Sequence, residues 1–296
     1  MDTTDCQGEY KCIEEMDDGT VIVRRGPMLM SIFVSNGKIP KSTLAKEGAE
    51  KALEVLDTLA RFRKVITKKI GEIGSIEVLP PIVRRMVLAA QKFEDPTVTP
   101  LIAVAGAGAD EVADFIFNIG KSTKVIVNNG GDIAIRIKNH EEVKVGIKTD
   151  LTIRKVTHIL TVRGTNGIAG VATSGFGGRS FTRGIANAAV AMAADATSAD
   201  VAATLIGNAT DIESHNIKKA LARDLYEFTD IPDLRVTKSI GFLEPSEAKQ
   251  ALDRGMRKAE TFQEKGLIIG AFLAVKDQFT VSKPIFPFIK QIIQFS

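Results

Sequence analysis

Val125-Ile-Val-Asn-Asn-Gly-Gly-Asp-Ile-Ala-Ile135 decides how the chain is read: two apolar, largely β-branched runs flank five residues that no regular strand favours. The pattern is strand, tight turn, strand. Asn128, Asn129, Gly130 and Gly131 take positive φ at low cost, which suits a type I′ hairpin turn, and bare glycines also let a ligand approach the backbone closely. An ordinary hairpin and a ligand cradle fit the same letters, so the rest of the chain has to separate them.

Upstream, residues 20–23 and 28–34 alternate as strands across Arg24-Arg25-Gly26-Pro27, whose glycine and proline stop both runs. Ala52, Leu56, Leu59, Phe62 and Ile66 recur at helical spacing within residues 43–66. Pro80-Pro81 opens a second helix through Phe93. A third helix is expected over residues 110–118, with Asp110 and Glu111 in its first turn.

Downstream, residues 133–138 and 142–148 read as a hairpin around Asn139-His140, with further strands at 157–162 and 168–175 and a glycine-rich loop after them. Residues 212–228 and 245–265 read as helices, and 267–272 with 279–281 as a last hairpin. The expectation is an α+β protein, a mainly antiparallel sheet flanked by helices, forming a single domain over residues 1–296. The tail from Pro284, with Ile285, Phe286, Phe288, Ile289, Ile292, Ile293 and Phe295, is apolar for a terminus. It either docks on the core or forms a subunit contact in a homo-oligomer.

Composition removes several classes. With 44% hydrophobic and 25% charged residues and no low-complexity tract, the chain is neither disordered nor fibrous. A net charge of +3, no Trp, and Tyr only at Tyr10 and Tyr226 leave no footprint for nucleic acid. Cys6 and Cys12 read as exposed, reduced thiols, and the scattered His140, His158 and His215 give no metal-ligand spacing. The longest late apolar run, residues 266–275, is too short to span a bilayer, and the N-terminus has no leader pattern. A cytoplasmic protein is expected.

Three further stretches carry chemistry. Gly106 and Gly108 suggest a dinucleotide fingerprint, but the third glycine position holds Glu111, so a small-residue helix entry with room for a ligand is the reading kept. Thr173-Ser174-Gly175 ends a strand with hydroxyls and backbone N–H groups suited to phosphate oxygens, or forms a plain polar turn. In Ser198-Ala-Asp-Val-Ala-Ala-Thr-Leu-Ile-Gly207, Asp200 and Thr204 share one helix face and offer hard oxygens to magnesium. Residues 197–200 also fit a capping box, in which Asp200 would serve only the backbone.

Taken together, Asn129-Gly-Gly-Asp-Ile133, Val145-Gly-Ile147, Val171-Ala-Thr-Ser-Gly175 and Ala199-Asp-Val-Ala-Ala-Thr204 resemble, in order and spacing, the FAD:protein FMN transferases of the ApbE type. The resemblance covers residues 95–210 and is closest to archaeal relatives of that family. It implies that Gly106, Asn129, Gly130, Gly131, Asp132, Thr173, Ser174 and Gly175 bind a pyrophosphate nucleotide, FAD above all, and that Asp200 and Thr204 hold Mg2+. A protein acceptor for FMN would follow. The departures are specific: the family lysine before the glycine is Ala105, its His-x-x-Asp-Pro-x-Thr-Gly segment has no counterpart, and its N-terminal flavin-contacting tyrosine motif is not recognisable. The expectation is therefore nucleotide binding with Mg2+, either with FMN transfer or FAD cleavage, or as a noncatalytic binding protein that has lost that chemistry.

Overall fold

The computed structural model describes residues 12–149 and 155–292. In chain order, β1 (Ile13–Glu15), β2 (Val21–Arg25), β3 (Met28–Asn36) and β4 (Ile39–Pro40) precede α1 (Ser42–Arg61), α2 (Arg63–Ile66), α3 (Pro81–Lys92) and α4 (Val104–Asn118). Six strands follow: β5 (Lys124–Asn129), β6 (Asp132–Ile137), β7 (Glu142–Ile147), β8 (His158–Arg163), β9 (Gly170–Ser174) and β10 (Ala188–Ala193). The last part comprises α5 (Ala196–Ala209), β11 (Ile217–Leu221), α6 (Ala222–Leu225), β12 (Arg235–Ile240), α7 (Pro245–Glu264), β13 (Gly270–Val275), β14 (Gln278–Val281) and β15 (Ile289–Gln291).

Every strand pairing among the described residues is antiparallel. The main sheet runs β1-β2-β3-β5-β6-β9-β10-β13-β14, and a smaller sheet runs β15-β8-β7. Side chains alternate between two cores. On β10, Ala189, Ala191 and Ala193 face the helices, while Ala188, Val190 and Met192 face the core shared with the smaller sheet. That is why Ala188–Ala193 is apolar without interruption: the strand is buried on both faces.

Three expectations are corrected. β6 does not pair with the strand after Asn139-His140; β7 pairs with β8 instead, so Val143, Val145 and Ile147 can pack against Ile135 of the main sheet. Residues 212–228 are not one helix, because β11 pairs with β12 and only Ala222–Leu225 is helical. Cys12 is buried, not exposed, and Cys6 lies outside the described residues.

Part of the tail docks on the core, through Ile285 and Ile289, while Phe286 and Ile292 are exposed. Ile285 is fully buried against Gly270, where a Cβ would come within 2.4 Å of its Cγ2, and Ile289 pairs with Leu160. Deleting residues 284–296 is therefore expected to cost more than about 3 kcal/mol and to lower the melting temperature. A deletion that melts like the parent but sediments as a smaller species would assign the tail to a subunit contact.

Candidate functional site

Where the β5–β6 turn meets the end of β9 and one face of α5, the chain leaves a cavity of about 1880 Å³. It exceeds the roughly 300–1,000 Å³ usual for small-molecule sites. Gly130 (φ +70°) and Gly131 (φ +116°) form the turn, and the Gly131 N–H donates to Asn128 Oδ1 at 2.9 Å. Positive φ at both positions is what the two glycines supply. Along α5, Asp200, Thr204 and Asn208 stand at i, i+4 and i+8 and all line the cavity.

The seat of α5 explains why Asp200 faces the cavity. The helix cap is Asp195, whose Oδ1 accepts the Ser198 N–H at 2.6 Å, so of the two alternatives for Asp200 the capping box over residues 197–200 is not the one formed. Asp200 lies one turn further in and its Oδ2 accepts the Gly106 N–H of α4 at 2.9 Å. The two helices touch there: a Cβ on Gly106 would fall 2.2 Å from the Ala196 carbonyl oxygen.

One correction concerns α4, which starts at Val104, so Asp110 lies inside the helix and not in its first turn. Its buried carboxylate accepts from Ala196 N (3.1 Å), Thr197 N (2.8 Å), Thr197 Oγ1 (2.6 Å) and Arg136 Nη2 (2.9 Å). Arg136 also donates to Asp114 at 2.7 Å, which in turn holds Arg85 at 2.9 Å. This chain of charges fixes the start of α5 to α3, α4 and β6.

Two acids meet at the polar end of the cavity. Removal from water raises the Asp132 carboxyl to about 7, although the Thr173 N–H and the Arg179 charge both work against that rise. Burial also pushes Asp200 well up, and the charges of Asp132 and Asp110 add to it against the Gly106 and Ala105 N–H groups. Ser174 lines the same cavity, and its Oγ is buried and has no hydrogen-bond partner among the described residues. An orphaned hydroxyl and two crowded carboxylates are costly in an apolar protein and are what an added ligand would relieve.

The pH dependence follows. Unfolded, Asp132 titrates near 3.8, and folded near 7, so between those values the native state binds more protons and stability falls as pH rises. The contribution is complete below 3.8 and lost above about 7; Asp200 shifts in the same direction. In EDTA the melting temperature should fall from pH 5 to pH 8, and MgCl2 should raise it more at pH 8, because a cation favours the ionised pair. A melting temperature that climbs through that window would contradict the assignment.

The structure places Asn129, Gly130, Gly131, Asp132, Thr173, Ser174, Gly175, Asp200 and Thr204 along one cavity. Gly106 does not line it; it contributes a backbone donor and the space that seats Asp200. Sequence reasoning missed Asn208, whose Oδ1 accepts Arg183 N–H at 2.8 Å and Thr182 Oγ1 at 3.3 Å, anchoring the glycine-rich loop to α5. Its i+8 spacing from Asp200 was the available signal. Arg179, in that loop, was missed as well, and no spacing singles it out.

Comparison with known proteins gives a consistent picture. The family model described as AbpE bacteria matches residues 13–281. A UPF0280 protein of Methanothrix thermoacetophila is 38% identical over 135 residues, 45% of this chain and 54% of that protein. A UPF0280 protein of Methanosarcina barkeri is 36% identical over 144 residues, 48% and 54% of the two chains. The chain spans about half the length of these curated relatives. Among solved structures, the apo Pseudomonas stutzeri flavinyl transferase ApbE superposes with a TM-score of 0.54 over 97% of this chain and 98% of that one, at 13% identity, which speaks to the fold.

Proposed function

Since the chain belongs to the AbpE family, whose model spans nearly all of it, we propose that it binds a pyrophosphate nucleotide of the FAD class together with Mg2+. The observation that carries this reading is that one cavity is lined by the Asp132 and Asp200 carboxyls, by Ser174 with its unpartnered Oγ, and by the backbone of Gly130, Gly131 and Gly175. The name of the Pseudomonas stutzeri neighbour, a flavinyl transferase, supports a flavin as the nucleotide's other half.

The donor set fits magnesium. Asp132, Asp200 and Thr204 offer hard oxygens, and magnesium commonly takes one or two carboxylates and completes its shell with water and substrate phosphates. Among the described residues no group of three or more His, Cys, Asp or Glu side chains is placed to hold a metal ion. When bound, the ion neutralises charge on the diphosphate. Ser174 would orient the phosphates beside the bare glycine turn, whose Gly131 N–H is already taken by Asn128 Oδ1, and Asn208 holds the loop that closes one side of the cavity.

Binding without efficient transfer is the reading favoured here. Ala105 stands where the resembling family has lysine, and the segment that family uses between the Thr-Ser-Gly turn and the metal helix is replaced by a short loop. Loss of a positioned acid-base group costs a factor of about 10² to 10⁴ in rate. One observation favours the transferase reading instead: the Pseudomonas stutzeri neighbour, whose fold this chain shares, is named a flavinyl transferase. Incubation with FAD, MgCl2 and a threonine-bearing peptide, followed by mass analysis, separates them. FAD retained without FMN addition supports the binding protein, and rapid stoichiometric addition supports the transferase. Absence of both discredits the flavin.

A further inference from the structure

Arg179 lies across the glycine turn, where its charge is felt by the Asp132 carboxyl although no ion pair closes between them. Its Nη1 would be 2.9 Å from a Cβ at Gly130, so the guanidinium rests on the bare turn. Its polar contact is a long one, 3.4 Å from Nη1 to the Pro27 carbonyl oxygen, and no ion pair among the described residues involves it. The side chain is exposed and lines the cavity. The loop that carries it is pinned on both sides, by Phe176 N–H to the Ala186 carbonyl at 2.7 Å and by Arg183 N–H to Asn208.

Charge balance gives this arginine a task. Two carboxylates and a diphosphate at one end of the cavity carry more negative charge than one divalent cation neutralises. A guanidinium presents a planar fork of donors matched to pairs of phosphate oxygens. Arg25, Arg63, Lys148 and Arg183 also line the cavity, but Arg179 is the one seated on the glycine turn.

We propose that Arg179 reads the diphosphate: its guanidinium engages non-bridging oxygens of a nucleotide diphosphate seated between the glycine turn and Ser174, and so selects FAD over FMN and riboflavin. This rests on the FAD-class reading of the site. It makes Arg179 a specificity residue, and Gly130 the position whose missing side chain lets the guanidinium lie flat on the turn.

The test titrates the parent, Arg179→Ala and Arg179→Lys with FAD, FMN and riboflavin in MgCl2, with thermal melts to confirm equal folding. Arg179→Ala should weaken FAD by about 10- to 100-fold, the worth of a charge-assisted hydrogen bond, weaken FMN less and leave riboflavin unchanged. Lysine keeps the charge but loses the fork, so it should fall between. Added salt should weaken FAD binding more in the parent than in Arg179→Ala. Equal FAD affinity in parent and Arg179→Ala overturns the inference alone, as does a uniform loss across all three ligands. A parent that does not bind FAD overturns the underlying reading and this inference with it.

Discussion

Replacing Asp200 by asparagine is expected to weaken Mg2+-dependent FAD binding by about 100-fold or more, while the ligand-free protein melts no lower than the parent. Residues that merely orient a metal ligand typically cost 10- to 100-fold in affinity when changed, and a direct ligand costs at least as much. Asparagine keeps an oxygen for the Gly106 N–H, 2.9 Å from Asp200 Oδ2, so the α4–α5 contact survives. Burial and the neighbouring Asp132 already favour the neutral form of the Asp200 carboxyl, so a neutral amide in its place costs the apo protein little. FAD titration with and without MgCl2, beside melts in EDTA, checks both halves. Unchanged affinity in magnesium would sink the metal assignment, and a lower apo melting temperature would make Asp200 a structural residue.

The largest stability effect is expected at Asp110→Ala. The substitution strands Arg136 without one of its two carboxylates and leaves the Ala196 and Thr197 N–H groups unpaired in the interior. Breaking one side of a buried ion pair costs about 3–5 kcal/mol, which for a chain of this size lowers the melting temperature by roughly 6–20 °C. Asp110→Asn, which retains one acceptor oxygen, should fall between. A shift of a degree or less would show that the start of α5 is held by its own cap and packing. Ligand affinity is informative too, because α5 carries Asp200, Thr204 and Asn208 into the cavity.

What the sequence made legible follows from how local each signal is. The β5–β6 turn and the opening hairpin were readable because positive φ and alternation are properties of a few neighbouring residues. The β6–β7 hairpin was misread because Asn139-His140 turns the chain equally well into a neighbour or into another sheet. The partner was chosen by a core that joins Ile135 to Val143 and Val145. Residues 212–228 carry helix formers, yet cross-strand pairing from Leu221↔Arg235 back to Ile217↔Ile240 overrides that preference. At the site, Asp200 and Thr204 were visible through helical spacing. Asp110 was read only as a first-turn helix acid, because its partners Ala196 and Thr197 are 86 and 87 positions away.

The fastening of the glycine-rich loop has an entropic consequence. Phe176 is tied to Ala186, Thr182 and Arg183 to Asn208, and the amides of Ile185 and Ala186 to Thr210 Oγ1 at 2.9 and 3.0 Å. Fixing one residue's backbone costs about 1–2 kcal/mol, and an untethered loop would draw that sum from the binding energy of any nucleotide it closed on. Here the ends are already held by the fold, and the span left to settle around a ligand is residues 177–181. The structure thus meets most of the ordering cost during folding, and a ligand the loop settles on has correspondingly less of it to offset.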